Sequence, residues 1–191
     1  MPWTTAGDRT IYHGTLYPHA ITIVGGTNIF SKQTVPAQGI NLALCSHFTD
    51  FGRGFYTTTN LHQAKQWAND RCQPWKRPNR NKIAAVLAFD VSWDALADLS
   101  TLAFVWEGAP RTSGYWTLVG HCRAGRPNRQ TTVANPSGGP FDVVYGPVSL
   151  WSQYLVLAQC DQISFHTDPA LSALRNGRIL AHGTLANPFL S

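Results

Sequence analysis

The sequence predicts an α+β fold. Short strands are interspersed with helices of unequal length, without the regular alternation of a parallel βαβ array. One apolar run of strand length, Ile83-Ala84-Ala85-Val86-Leu87-Ala88-Phe89, marks a central strand. Leu61, Ala64, Trp67 and Ala68 recur on one face of a helix. At 191 residues and 43% hydrophobic content, the chain suffices for a single domain with a proper core.

In chain order, residues 10–13 read as a first strand ending in a polar His13-Gly14-Thr15 turn. Residues 18–24 suit a helix leading into Gly25-Gly26, and residues 31–46 have no period and read as loop. Residues 55–58 form a strand, and Asn60 is a good N-cap for a helix running to about Cys72. Pro74 and Pro78 punctuate a linker over residues 73–81. After the central strand, residues 90–98 read as a turn or short helix, 99–106 as a strand and 111–123 as a helix. Residues 125–140, rich in Pro, Gly, Asn and Thr, read as a long mobile loop. Three strand candidates follow at 141–145, 154–157 and 162–166, and Asp168-Pro169 opens a last helix to about Leu174.

Charged residues make up 13% of the chain, against roughly 25% in an average soluble protein. The solvated surface therefore leans on Asn, Gln, Ser, Thr and Gly. Seven Trp and 12% aromatic content suit either stacking surfaces or a core built on large rings. The net charge of +5 is clustered: Lys76, Arg77, Arg80 and Lys82 lie in one loop-like segment, and Arg123, Arg126 and Arg129 in another. Such clusters suit phosphate groups or acidic partners, or are simply solvated loop charge. No nucleic-acid-binding motif accompanies them.

Cys45, Cys72, Cys122 and Cys160 form no C-x-x-C pair, which argues against a common zinc motif and for reduced, structural thiols; two disulfides are the alternative outside a cell. No metal is expected. The N-terminus lacks signal-peptide features and no apolar run reaches membrane-spanning length. The expected location is cytoplasmic, with an effector exported without a cleaved signal as the alternative, and no membrane partner is expected.

Chemistry-bearing residues sit at three separated points: His13, Tyr56 and Gln162, each at the end of a short strand. Each has a plain structural explanation when taken singly. A lone His in a turn is commonly a hydrogen-bond donor, a Tyr between glycines is commonly packed, and a Gln opening a strand is commonly on the surface.

Together the blocks resemble the ADP-ribosyltransferase superfamily, and within it a branch designated DUF3990. The resemblance is carried by Tyr12-His13-Gly14-Thr15, then Asp50-Phe51-Gly52-Arg53-Gly54-Phe55-Tyr56-Thr57-Thr58 with Gln63-Ala64 and Trp67-Ala68. It continues through Tyr115-Trp116, Cys122-Arg123, Phe141-Asp142-Val143-Val144, Gly146-Pro147-Val148 and Asp161-Gln162-Ile163-Ser164-Phe165-His166-Thr167. The resemblance implies a split β-sheet with peripheral helices and NAD⁺ as substrate. It implies that His13 bonds a ribose hydroxyl, the Gly14 backbone holds the carboxamide, and Tyr56 stacks on the nicotinamide ring. It further implies Thr15 and Gly54 beside the bound dinucleotide, Trp67 as a second aromatic on the ring, and Arg53 toward the pyrophosphate or an acidic target. His166 and Asp168 are expected to serve the fold.

The third signature position departs from the pattern, with Gln162 where an active transferase usually has Glu. An amide accepts the same ribose hydroxyl but supplies only a dipole, a loss of about 3 kcal/mol if a charged contact is needed. Asp161, Glu107 or the substrate are alternative sources of the charge, Gln159 is a second amide nearby, and Asp50 is the carboxylate nearest the tyrosine block. The implied activity is mono-ADP-ribosyl transfer from NAD⁺ to a macromolecular acceptor, an acidic protein or a nucleic acid, as in a toxin or effector domain. Two alternatives stay open: NAD⁺ glycohydrolysis, and an inactive NAD⁺- or ADP-ribose-binding module.

Overall fold

The chain is described by a computed structural model over residues 8–73, 82–104, 114–128 and 140–191. Lys76, Arg77, Arg80, Glu107 and Arg129, most of the 73–81 and 125–140 segments, and residues 105–106 and 111–113 of two expected elements lie outside the described residues. The fold is α+β, as the sequence predicts. Its residues gather into two units, one built from Asn41–Tyr56 and Val91–Ala173, the other from Thr10–Ile40, Thr57–Asp90 and Leu174–Ser191.

The second unit is built on a sheet of β1 (Asp8–Leu16), β5 (Ala84–Ser92) and β9 (Leu174–His182), in the order β1-β5-β9. The apolar run read from the sequence is indeed its central strand, and Ala84 to Phe89 are all buried. Helix α2 (Leu61–Cys72) begins where Asn60 caps it, its side chain accepting from the Gln63 N–H at 3.2 Å. The helix buries Ala64, Ala68 and Cys72 against Ala84 and Val86, with Tyr12, Leu16 and Leu61 at the margin. These small residues let the helix backbone lie close to the sheet. Helix α1 (Tyr17–Val24), with Pro18 in its first turn, packs beside β9 and buries Tyr17, Ala20 and Ile21. A two-stranded ribbon pairs β2 (Gly26–Thr27) with β3 (Thr34–Val35), the latter inside the segment expected to be loop.

The expected His13-Gly14-Thr15 turn is not a turn. Strand β1 runs straight through it, and Tyr12 bridges Thr58 by two backbone bonds of 2.8 Å. Strand β9 has no counterpart in the sequence reading, which stops at a helix ending near Leu174. Helix α5 (Asp168–Ser172) is shorter than expected, and the chain turns directly into β9.

The first unit carries the sheet β4-β8-β7-β6, formed by β4 (Phe55–Thr57), β8 (Leu155–Phe165), β7 (Val143–Leu150) and β6 (Thr101–Ala103). Strands β6 and β7 run parallel, β7 and β8 antiparallel. The candidates at 154–157 and 162–166 are one strand, β8, interrupted by a bulge. Between Asp161, paired with Pro147, and Val156, paired with Ser149, β8 takes five steps where β7 takes two. Gln159 in that bulge has φ 57°, a left-handed conformation. Helix α3 (Trp93–Ala97) precedes β6. Helix α4 (Gly114–Arg123) buries Tyr115, Trp116, Leu118, Val119 and Cys122 in one core with Phe51, Phe141 and Val144. Burying each large apolar side chain here stabilises by about 1.5–3 kcal/mol.

Candidate functional site

The tyrosine block folds as it does because its two glycines answer different demands. Gly52 adopts φ +83°, which turns the chain after Phe51, and its N–H returns to the Thr49 carbonyl at 3.2 Å. Gly54 leaves room for a histidine: a Cβ there would stand 2.7 Å from His166 Nδ1 and 2.9 Å from the Phe165 carbonyl oxygen. The intervening Arg53 is exposed, its guanidinium against His47 Nε2.

Tyr56 lies in the middle of β4 and reaches back over this turn. Its hydroxyl donates to the Gly52 carbonyl at 2.8 Å and accepts from the Phe51 N–H at 3.0 Å and from Thr49 Oγ1 at 2.7 Å. Burial pushes the phenol well above its usual value, so it stays protonated and takes no acid–base role. What Tyr56 can offer a ligand is its ring. That ring lies nearly parallel to Phe51 (centroids 6.5 Å, 17°) and meets His166 edge-on at 6.4 Å. Phe51 in turn stacks on Phe104 at 6.3 Å. The partly buried ring is fixed at both ends, by its hydroxyl bonds and by the aromatic row.

His166 is bound on both ring nitrogens. Nδ1 donates to the Arg53 carbonyl at 2.7 Å, which leaves Nε2 to accept from Ser164 Oγ at 2.8 Å. Desolvation is the main cause that lowers its pKa to about 4, so it is neutral near pH 7. It ties the tyrosine turn to β8.

Gln162 is not at a strand start but inside β8, opposite Gly146 of β7, and is 4% exposed. Its Nε2 donates to Asp50 Oδ2 at 2.7 Å and to the Pro147 carbonyl at 2.9 Å. Both neighbours are acceptors, so the amide orientation is fixed. The nitrogen is committed, and Oε1 is the acceptor that remains. The bulge of β8 begins just beyond this point, where the register shifts between Pro147 and Ser149. The Pro147 carbonyl also accepts from Tyr115 Oη at 2.9 Å.

Asp50 is the hub. Only 2% exposed, it accepts at Oδ1 from Arg123 Nε (2.8 Å), Arg123 Nη2 (2.6 Å) and Ser149 Oγ (2.6 Å). At Oδ2 it accepts from the Ser149 N–H (2.9 Å) and Gln162 Nε2. Arg123, read from the sequence as part of a basic loop cluster, is the partner of this buried carboxylate at the end of α4. Asp50 was singled out by its nearness to the tyrosine block. Its partners Arg123 and Ser149 were not tied to it, since their separations along the chain leave no local signal. Cys122 beside it is pushed up to about 12 by burial and then by Asp50, which makes it an inert thiol. None of the four cysteines is in a disulfide.

The remaining expected site residues belong to the second unit. On β1, Tyr12, Gly14 and Leu16 face α2, while His13 lies on the alternate face with Ile11 and buried Thr15. Gly14 is explained by packing: a Cβ there would lie 2.1 Å from the Ala64 carbonyl oxygen. Trp67 is half-buried on α2. Among the described residues no group of three His, Cys, Asp or Glu side chains is placed to hold a metal ion, and no helix is long and apolar enough to cross a membrane.

An α+β chain with an aromatic turn anchored to a buried carboxylate network is the class these observations define. Residues 30–156 match the family model described as "Protein of unknown function (DUF3990)", and the chain belongs to that family. The match takes in Asp50, Arg53, Tyr56, Trp67, Arg123 and Ser149, while His13 and Gln162 fall outside it. No curated protein and no solved structure matches the chain.

Proposed function

We propose that this protein is an NAD⁺-dependent mono-ADP-ribosyltransferase acting on a macromolecular acceptor, an acidic protein or a nucleic acid. The observation that carries the reading is the pairing, in one unit, of a rigid neutral aromatic face at Tyr56 with an oriented amide acceptor at Gln162. A flat ring with a hydroxyl already satisfied suits the stacking of a cationic nicotinamide. An acceptor of fixed direction suits the ribose hydroxyl whose hydrogen bond steadies the sugar as positive charge develops on it.

In the reaction the bond between nicotinamide nitrogen and ribose C1 breaks, and its electron pair leaves with nicotinamide. The acceptor nucleophile adds to C1 and loses a proton. His13 toward a ribose hydroxyl, the Gly14 backbone toward the carboxamide, Thr15 and Gly54 beside the dinucleotide, Trp67 on the ring and exposed Arg53 toward phosphate are assigned from the motif resemblance. NAD⁺ enters as substrate, and the chemistry calls for no metal.

The test is incubation with labelled NAD⁺ and a cell lysate, beside Tyr56→Ala and Gln162→Ala. Label transferred to macromolecules by the parent and lost in both variants supports the transferase. Label released only as free ADP-ribose makes the protein a glycohydrolase. Binding of NAD⁺ without turnover makes it a binding module.

A further inference from the structure

Gln162 is buried with its amide nitrogen held between two acceptors, and the nearer one is a carboxylate. A glutamate at 162 would put two carboxylates at the 2.7 Å now spanned by an N–H bond. Both could not stay ionised in so buried a place, and one would take up a proton. The position that usually carries the charge is therefore an amide here because the charge is already installed behind it, on Asp50. We infer that Asp50 is a positioning residue: it fixes the Gln162 amide so that Oε1 faces the ribose hydroxyl, and positions 50 and 162 together hold one negative charge. This role rests on the transferase reading proposed above. The charge-sharing itself does not.

The surroundings favour this arrangement. Arg123 engages Oδ1, Ser149 engages both oxygens, and Gln162 engages Oδ2, so each carboxylate oxygen has donors on it. The other titratable groups facing Asp50 are Tyr115 and Cys122 of α4 and Tyr56 of β4, all held neutral by burial. None supplies a second charge. Exchanging the two side chains would keep one carboxylate and one amide in contact.

Four proteins test the inference: the parent, Asp50→Asn, Gln162→Glu and Asp50→Asn/Gln162→Glu. Urea unfolding of each at about pH 5 and about pH 8 reads the shared charge, because a carboxyl forced to keep its proton titrates between these values. Measured against the parent at the same pH, Gln162→Glu should be less stable at the higher value than at the lower, and the double variant should recover the difference. A difference in stability between Gln162→Glu and the parent that is the same at both values, or a double variant no better than the sum of the singles, would overturn charge-sharing.

NAD⁺ consumption reads the positioning role. Asp50→Asn should lower kcat about a hundredfold with little change in KM, and the double variant should regain at least about tenfold of it. An Asp50→Asn enzyme with unchanged kcat overturns the positioning role. A parent that consumes no NAD⁺ overturns the transferase reading and the positioning role with it, while the unfolding measurements still decide the charge-sharing. Gln162→Glu conserves shape, so it keeps the test available should Asp50→Asn fail to fold.

Discussion

Gly14 of β1 and Ala64 of α2 approach so closely that a Cβ on Gly14 would lie 2.1 Å from the Ala64 carbonyl oxygen and 2.9 Å from the Ala68 nitrogen. The obstacle is helix backbone, which cannot rotate away as a side chain would. Gly14→Ala should therefore destabilise the protein by at least about 2–3 kcal/mol through displacement of α2. Urea unfolding checks this. A loss below about 0.5 kcal/mol would show that α2 has slack. The measurement matters for function, because loss of NAD⁺ turnover in such a variant would reflect the displaced helix and not a lost carboxamide contact.

Tyr56 separates ring from hydroxyl. Tyr56→Phe keeps the face that stacks beside Phe51 but strips bonds from the Phe51 N–H, the Gly52 carbonyl and Thr49. The expected cost is about 1–3 kcal/mol of stability. NAD⁺ affinity, by titration calorimetry, should stay within about twofold of the parent, whereas Tyr56→Ala should weaken it about tenfold or more. Equal affinity in Tyr56→Ala and the parent would remove the ring from the proposed site.

The buried ion pair offers a third measurement. Arg123 is 32% exposed and Asp50 only 2%, so removing the arginine leaves the carboxylate buried with dipolar donors alone. Arg123→Met should cost about 2–3 kcal/mol, somewhat below the loss for a fully buried pair, because water can reach the vacated side. Arg123→Lys should fall between, since an ammonium cannot reproduce the two guanidinium contacts on Oδ1. A Met variant as stable as the parent would mean Ser149 and Gln162 suffice to hold the charge.

How much of this was readable depended on whether the signal was local. Helix α2 was legible to the residue at its start because Asn60 and the spacing of Leu61, Ala64 and Ala68 agree. The central strand was legible because it is buried on both faces and is apolar throughout. Strand β9 was not. Its Asn176-Gly177 pair looks like a turn, and Asn176 does take a left-handed φ of 52°, but inside an edge strand. Gly177 is there because a Cβ would meet Phe89 Cε1 at 2.7 Å.

The site divides along the same line. The glycines around Arg53 mark a tight turn, and the aromatic at Tyr56 can be read in place. The bulge of β8 was legible only as a gap between two strand candidates, where Gln159 and Asp161 interrupt the apolar pattern. The bond from Gln162 to Asp50 crosses 112 positions, and no periodicity encodes it. Sequence therefore named both residues separately and could not show that one holds the other.

His166 makes stability depend on pH in a definite direction. Its pKa in the folded protein is lowered from 6.5 to about 4, chiefly by desolvation. Between those values the unfolded chain binds a proton that the folded protein refuses. Stability is thus complete above about pH 6.5 and is lost as pH falls toward about 4, by on the order of 3 kcal/mol in total. Protonation would also force Nε2 to donate where it now accepts from Ser164 Oγ, loosening the link between β8 and the tyrosine turn. Urea unfolding of the parent and of His166→Asn across this range isolates the histidine from the carboxylates common to both. The parent's advantage over His166→Asn should be greatest at about pH 7 and shrink steadily as the acid side of the window is approached. An advantage that stays constant across the window would mean that His166 titrates normally and that burial does not hold it neutral.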